Sequence, residues 1–226
     1  MEELPKSLRY IISEANEAIQ NHPNGELILP LRKKIWMEFG TCQENGMPTI
    51  GTIRRTMLEI FNIERLMYLW KETLPNDNRP EIIIENIKRY FRGEVSREEL
   101  KKMFDSTLCS KKDALRWQEQ YKDYDFWVAC ENYLYNDNEA KNQFRYAIGF
   151  CACKIKQLAL HDSDLSHIEK LDLDYDFYDS YVSYDISKIL APFPWENTSD
   201  ETIEQRRKYW LWYVNEAIPA VFKAYK

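Results

Sequence analysis

The sequence predicts an all-α fold, a single-domain multi-helix bundle of about eight to ten helices. Three observations support this prediction. Apolar residues recur at gaps of three and four along most of the chain, which is the spacing of one helix face. Glycine is scarce, with 6 among 226 residues, so tight turns should be few. No long stretch alternates apolar and polar residues as a strand does.

We expect one helical domain over residues 1–226. It would consist of an N-terminal helical extension (1–50), a central set of helices (51–160), an acidic aromatic loop with a short helix (161–198) and a C-terminal helix (199–226). At 44%, the hydrophobic content is sufficient for a sizeable core of that kind.

The N-terminal extension has the weakest periodicity. Two helices are predicted, separated by the breaker-rich stretch "HPNGE". The apolar residues that indicate them are Leu8, Ile11, Ile12, Ala15, Ile19, Leu31 and Ile35. The dipeptide Asn45-Gly46 is compatible with a β-hairpin, but only short runs flank it.

The central segment has the clearest pattern, a helix of about six turns. Its apolar stripe is Ile53, Met57, Ile60, Ile63, Met67, Trp70 and Leu74. Pro75 should end this helix, because proline cannot continue the hydrogen-bonded ladder. Asn78 should then cap the next helix, with Glu81 completing a capping box.

The stretch "RGEVSREEL" predicts a sharp boundary between two helices. Gly93 suits the left-handed position after a helix end. Ser96 and Glu99 have the spacing of a capping box, and Val95 and Leu100 have the spacing of a hydrophobic staple.

Four more helices are predicted towards the C-terminus, one of them the short helix around Phe177–Leu190. Two of them rest on Trp117, Tyr121, Tyr124, Val128, Phe144, Ile148, Cys151, Ile155 and Leu158. The last should begin after two prolines, with Thr198 and Glu201 as its capping box. Pro219 should kink that helix or mark its end.

Composition excludes several classes of function. The formal net charge is -6 and no large Lys/Arg cluster occurs, so nucleic acid is not an expected partner. The start "MEELPKSLRY" does not resemble a signal peptide, and the longest apolar run, 146–153, is too short for a membrane span. We therefore expect a soluble, cytoplasmic protein with its five cysteines reduced and not bound to metal.

The stretch "KLDLDYDFYDSYVSYD", 170–185, raises the question of a metal site. Asp172, Asp174 and Asp176 imitate the first ligands of a calcium-binding EF-hand loop. That loop also needs glycine at its sixth and glutamate at its twelfth position, where this chain has Phe177 and Ser183. The pattern fails at both, so no metal is expected here.

The pair His161-Asp162 carries the strongest alternative, an all-helical metal-dependent phosphohydrolase. Such a site needs further ligands, and the chain has only two other histidines, His22 and His167. No nucleophile elbow, P-loop or dinucleotide motif is present. We therefore expect no catalytic residue and no cofactor. A helical adaptor or regulatory protein is the other alternative.

The segment 65–104 resembles a family of predicted bacterial immunity proteins from polymorphic toxin systems. The features that carry this resemblance are Trp70, Pro75, Asp77, Arg79, Pro80, Gly93, Glu94 and Ser96. It extends loosely over 51–160. The resemblance implies an all-helical, non-enzymatic protein that binds and blocks a cognate protein toxin inside the producing cell.

This resemblance suggests a role for the acidic aromatic segment. Many toxins blocked by immunity proteins are nucleases with basic clefts, which carboxylates can occupy in place of phosphates. Tyrosines add contact area at little entropic cost. The residues expected to bind the partner are Asp172, Asp174, Tyr175, Asp176, Tyr178, Asp179 and Tyr181. A solubilising acidic loop remains the alternative for this segment, and the sequence leaves the oligomeric state open.

Overall fold

The computed structural model of the chain describes residues 4–40, 43–44, 47–73, 75–105 and 199–225. The helices predicted between 106 and 198 and all five cysteines lie outside these ranges.

Within the described ranges the chain is almost entirely helical, which agrees with the predicted class. The helices are α1 (Lys6–Asn21), α2 (Leu29–Met37), α3 (Ile50–Thr73), α4 (Arg79–Phe91), α5 (Arg97–Asp105), α6 (Asp200–Trp212), a π-helical turn (Tyr213–Ala217) and α7 (Ile218–Ala224). The last three run on without a break, so the described ranges contain six continuous helices, fewer than the eight to ten predicted for the whole chain.

A short β-ribbon lies between α2 and α3. Strands β1 (Gln43–Glu44) and β2 (Met47–Pro48) pair antiparallel, with Gln43 opposite Pro48. Each strand is only two residues long, in agreement with the short runs that flank Asn45-Gly46 in the sequence.

Two compact units divide the chain. The first contains Met1–Asn62 and His161–Lys226, and the second contains Ile63–Leu160. The border between the units falls within α3. The single domain and the four segments expected from the sequence stay a prediction.

The first unit has an aromatic core. Trp36 and Trp210 are fully buried, and the Trp36 indole Nε1 donates a hydrogen bond of 2.9 Å to the hydroxyl of Tyr213. Phe39 stacks on Phe222 with 5.1 Å between ring centroids. Burying one such side chain stabilises the fold by roughly 2–3 kcal/mol, so these residues dominate the packing of this unit.

Of the second unit, the structure describes the C-terminal part of α3, α4 and α5. Ile83 and Ile87 of α4 are fully buried, as the predicted apolar face requires. Trp70 of α3 is also buried, and its indole Nε1 donates to the main-chain oxygen of Asp77 at 2.9 Å. This bond ties the turn after α3 to the helix itself.

The junction between α4 and α5 forms as predicted. Gly93 has φ of 72°, and the amides of Gly93 and Glu94 donate to the oxygens of Tyr90 and Arg89 in a Schellman motif. Ser96 and Glu99 make the reciprocal capping bonds, 2.7 Å to the Glu99 carboxylate and 3.1 Å to the Ser96 hydroxyl.

Asn78 is the N-cap of α4, as predicted, but the capping box predicted for Asn78 and Glu81 is wrong. The side-chain oxygen of Asn78 accepts from Lys71 Nζ, and Glu81 pairs with the same Lys71 at 2.6 Å. The Asp77 carboxylate instead accepts from the main-chain nitrogen of Arg79 at 3.0 Å. Lys71 of the preceding helix therefore binds both side chains of the expected capping box, Asn78 and Glu81.

The cap predicted for the last helix is also wrong by one residue. Ser199 is the N-cap, and its hydroxyl accepts from the amide of Thr202 at 3.3 Å. Two overlapping pairs in "NTSDET" have the required three-residue spacing, Thr198 with Glu201 and Ser199 with Thr202. Spacing alone could not choose between them, because the choice depends on which residue begins the helical backbone.

The sequence predicted that Pro219 either kinks the last helix or marks its end. The helix does not end at Pro219, so the second of these two outcomes is wrong. Proline lacks an amide hydrogen, and its ring crowds the oxygen of the residue four positions earlier. The wider π turn Tyr213–Ala217 directly precedes Ile218 and Pro219, and α7 then continues to Ala224. We infer that the π turn accommodates the proline within a continuous helix.

Candidate functional site

The residues predicted to bind a partner all lie outside the described ranges, as do those of the alternative metal site. They are Asp172, Asp174, Tyr175, Asp176, Tyr178, Asp179, Tyr181, His161 and Asp162. In the part of the chain that is described, no three His, Cys, Asp or Glu side chains are placed to hold a metal ion. None of the described helices is both long and apolar enough to cross a membrane.

A buried polar stripe on α3 is the most unusual feature of the first unit. Its members recur at gaps of three and four and are at most 1% exposed. They are Thr52, Arg55, Thr56, Glu59 and Asn62. Because the apolar stripe predicted from the sequence runs along another face of this helix, the N-terminal half of α3 is enclosed on both faces.

Arg55 neutralises the C-terminal end of α2. Its guanidinium donates to the main-chain oxygens of Trp36 at 2.6 Å and Gly40 at 2.8 Å. It also lies 5.7 Å from the ring centroid of Phe39. Carbonyls at a helix C-terminus lack intrahelical partners and carry partial negative charge, so a buried cation there satisfies both needs.

Asn62 links α3 to α6 through a short chain of hydrogen bonds. Its amide nitrogen donates to the Glu59 carboxylate at 3.1 Å, and its amide oxygen accepts from the Tyr209 hydroxyl at 2.9 Å. Glu59 and Asn62 have no exposed surface, so they cannot touch a substrate in this conformation. We interpret the stripe as a structural element that fixes the rotation of α3 within the first unit.

The sequence analysis missed this stripe, although its spacing is readable. In "TIRRTMLEIFN" the polar residues repeat with helical period. On a helix that already has an apolar face, such residues ordinarily form the solvent-facing side. Only the enclosing elements, α2 and α6 among them, show that this side is buried.

On the outside of the first unit, α1 and α2 present the two most exposed large apolar side chains of the described ranges. Tyr10 is 74% exposed and Met37 is 66% exposed. On α1, Tyr10 lies between Ser7 and Glu14, which contact α2 through a 2.6 Å hydrogen bond to Glu38 and a 2.9 Å ion pair with Lys34. These cross-helix contacts hold the surroundings of both apolar side chains in place.

In the described part of the second unit, charged side chains at the surface form ion pairs. Two ion pairs of 2.6 Å join α3 to α4, Glu64 with Lys88 and Glu81 with Lys71. Tyr68 lies between them in sequence on α3 and is 53% exposed. These surface pairs contribute little to stability one by one, but they fix the positions of the side chains around an exposed tyrosine.

At the end of α4, Arg92 contacts two carboxylates, Glu85 at 3.0 Å and Glu94. The hydrogen bond from Arg92 lowers the pKa of the Glu94 carboxyl, and the hydrogen bonds to Glu94 and Glu85 raise the pKa of Arg92. Both groups therefore stay ionised throughout the physiological range.

The described residues form helices with a hydrogen-bonded polar interior in the first unit and ion-paired side chains at the surface. Residues 12–220 match the model of a family described as Immunity protein Imm5, and the chain belongs to that family. No curated protein matches the chain. The family match confirms the resemblance noted over 51–160. It extends that resemblance to nearly the whole chain, including segments before and after this range. Its role is therefore in immunity to a toxin.

Proposed function

We propose that this protein binds a cognate bacterial toxin in the cytoplasm of the producing cell and neutralises it by surface complementarity, without a catalytic step. The observation that carries the proposal is the family match over residues 12–220. Immunity by binding requires a rigid body with side chains held ready at its surface, because ordering them on contact would weaken the complex. The ion pairs around Tyr68 and the contacts between α1 and α2 are consistent with that requirement.

Within this proposal, the acidic aromatic segment 170–185 contacts the toxin. Its carboxylates have Lys170 as the one basic residue within the segment, so its local charge is strongly negative. A basic nuclease domain is the partner that best fits such a segment, since opposite charges accelerate encounter and discriminate against other surfaces. Tyrosines interleaved with the carboxylates supply apolar contact area.

Charge reversal tests the contact surface. The double variant Asp174→Lys with Asp176→Lys should abolish most binding to the toxin encoded by the neighbouring gene and should leave co-expressing cells unprotected. The matched control is Glu17→Lys with Glu216→Lys, which changes the net charge equally. Both control residues are exposed and form no ion pair among the described residues. The control should bind as the unmodified protein does.

Equal loss of binding in both variants would show that overall charge, and not this segment, drives the interaction. Full protection by the Asp174 and Asp176 variant would exclude the segment from the interface. The phosphohydrolase alternative makes a different prediction: near-stoichiometric divalent metal in the purified protein, lost on His161→Ala.

A further inference from the structure

The loop after α1 is organised by one imidazole nitrogen. His22 follows the last residue of α1, and its Nδ1 accepts from the amides of Asn24 at 3.2 Å and Glu26 at 3.3 Å. Two N–H groups can share Nδ1 only if that nitrogen carries a lone pair. The proton of the neutral ring must therefore lie on Nε2.

This loop in turn supplies acceptors to a buried arginine of α6. Arg206 is 1% exposed, and its Nη1 donates to the main-chain oxygen of Asn24 at 2.8 Å. Its Nε lies 3.8 Å from the Glu26 carboxylate. A buried guanidinium requires such acceptors, because an uncompensated charge in the interior is strongly destabilising.

Close packing holds the same loop against α6. Gly25 has φ of 65° and is buried, and a β-carbon added there would lie 2.7 Å from the main-chain oxygen of Ile203. The position therefore accepts only glycine, both for its backbone conformation and for the space available. The turn from α1 towards α2 is thus seated directly on α6.

We infer that residues 22–26 are a clasp that fastens α1 and α2 to α6, and that His22 is its positioning residue. Among the described residues, His22 forms no hydrogen bond or ion pair with Arg206 or with another residue of α6. It acts by holding the amides of Asn24 and Glu26 so that the oxygen of the first and the carboxylate of the second face Arg206. This goes beyond the proposed function, since it concerns how the fold is closed and not what binds to it.

Two substitutions at position 22 isolate the acceptor. In His22→Asn, Oδ1 is bonded to Cγ at the place of Nδ1 and can accept the same two amides. In His22→Leu, a methyl group stands there and accepts nothing. We expect His22→Asn to melt within about 1 °C of the unmodified protein and His22→Leu to melt about 2–4 °C lower, the shift typical for the loss of a hydrogen-bond acceptor in a chain of this size. Equal melting temperatures for the two variants would overturn the clasp.

Hydrogen exchange and nitrogen NMR give a readout that does not depend on global stability. The amides of Asn24 and Glu26 should be protected in the full-length protein and in His22→Asn, and should exchange freely in His22→Leu. The imidazole should be observed as its Nε2–H tautomer. A Nδ1–H tautomer, or unprotected amides in the unmodified protein, would show that His22 does not organise the loop.

Discussion

Arg55 in the first unit and Arg92 in the second unit place a positive charge in opposite surroundings. In the first unit Arg55 is 1% exposed, and it donates to main-chain oxygens at the end of α2. In the second unit the Arg92 side chain is 49% exposed and pairs with the carboxylates of Glu85 and Glu94. The acceptors around a buried cation depend on it as their hydrogen-bond donor, whereas water can replace either partner of an exposed ion pair. Removing an exposed ion pair should therefore lower the stability less than removing a buried, hydrogen-bonded arginine.

The largest effect should come from Arg55→Met. The variant keeps much of the side-chain volume but leaves the oxygen of the buried Trp36 without its donor, whereas the oxygen of the exposed Gly40 can bond to water. We expect a loss of about 3 kcal/mol in the free energy of unfolding, measured by urea denaturation. Arg92→Met is the matched control and should leave the denaturation midpoint nearly unchanged, because its partners are solvated. A comparable loss in both variants would remove the distinction between the two units.

A smaller effect is expected from Tyr209→Phe, which removes one hydroxyl from the buried network. Asn62 then loses a 2.9 Å hydrogen bond in a site without water access. The free energy of unfolding should fall by about 1–2 kcal/mol. Tyr68→Phe removes the same hydroxyl from an exposed ring and should change nothing measurable. If Tyr209→Phe is as stable as the unmodified protein, the stripe on α3 does not depend on its bond to α6.

The smallest effect, visible only in acid, concerns Asp77. Burial opposes ionisation of its carboxyl, but hydrogen bonds from the side chain and amide of Arg79, together with the charges of Arg79 and Lys71, outweigh it and lower the pKa. A lowered pKa means that the unfolded chain binds the proton more readily. The stabilisation is therefore present above the ordinary value of about 3.9 and disappears as the pH falls through the folded value.

Asp77→Asn removes this proton-linked term while keeping an acceptor for the Arg79 amide. Its stability should fall less steeply than that of the unmodified protein between pH 5 and pH 3, as followed by denaturation at fixed temperature. Arg79→Met should flatten the curve only in part, because the Arg79 amide and Lys71 remain, and adding it to Asp77→Asn should flatten the curve no further. An unchanged acid slope in Asp77→Asn would show that this surface pair has no linkage to folding.

Local sequence was sufficient wherever a structural element depends on its own neighbours. The Schellman motif at Gly93 and the capping box of Ser96 with Glu99 were predicted and formed, because every partner lies within six residues. The box at Asn78 failed for the opposite reason: Lys71, from the preceding helix, competes for its side chains. The predicted contact segment 170–185 lies outside the described residues and stays a prediction.

The sequence by itself determined the helical class, the extent of α3 and the family to which the chain belongs. Helical periodicity and local caps depend on residues that are close together in the chain, so they can be recognised without the tertiary structure. Only the tertiary structure decided which side of each helix is hidden. From the sequence alone, the polar stripe from Thr52 to Asn62 would be assigned to a solvent-facing side, but in the structure other helices cover it. His22 would likewise be assigned to a helix-breaking loop, but in the structure it accepts hydrogen bonds from two amides of the loop that contacts Arg206. The physical reason is that burial is a property of the surroundings of a side chain and not of its place in the chain.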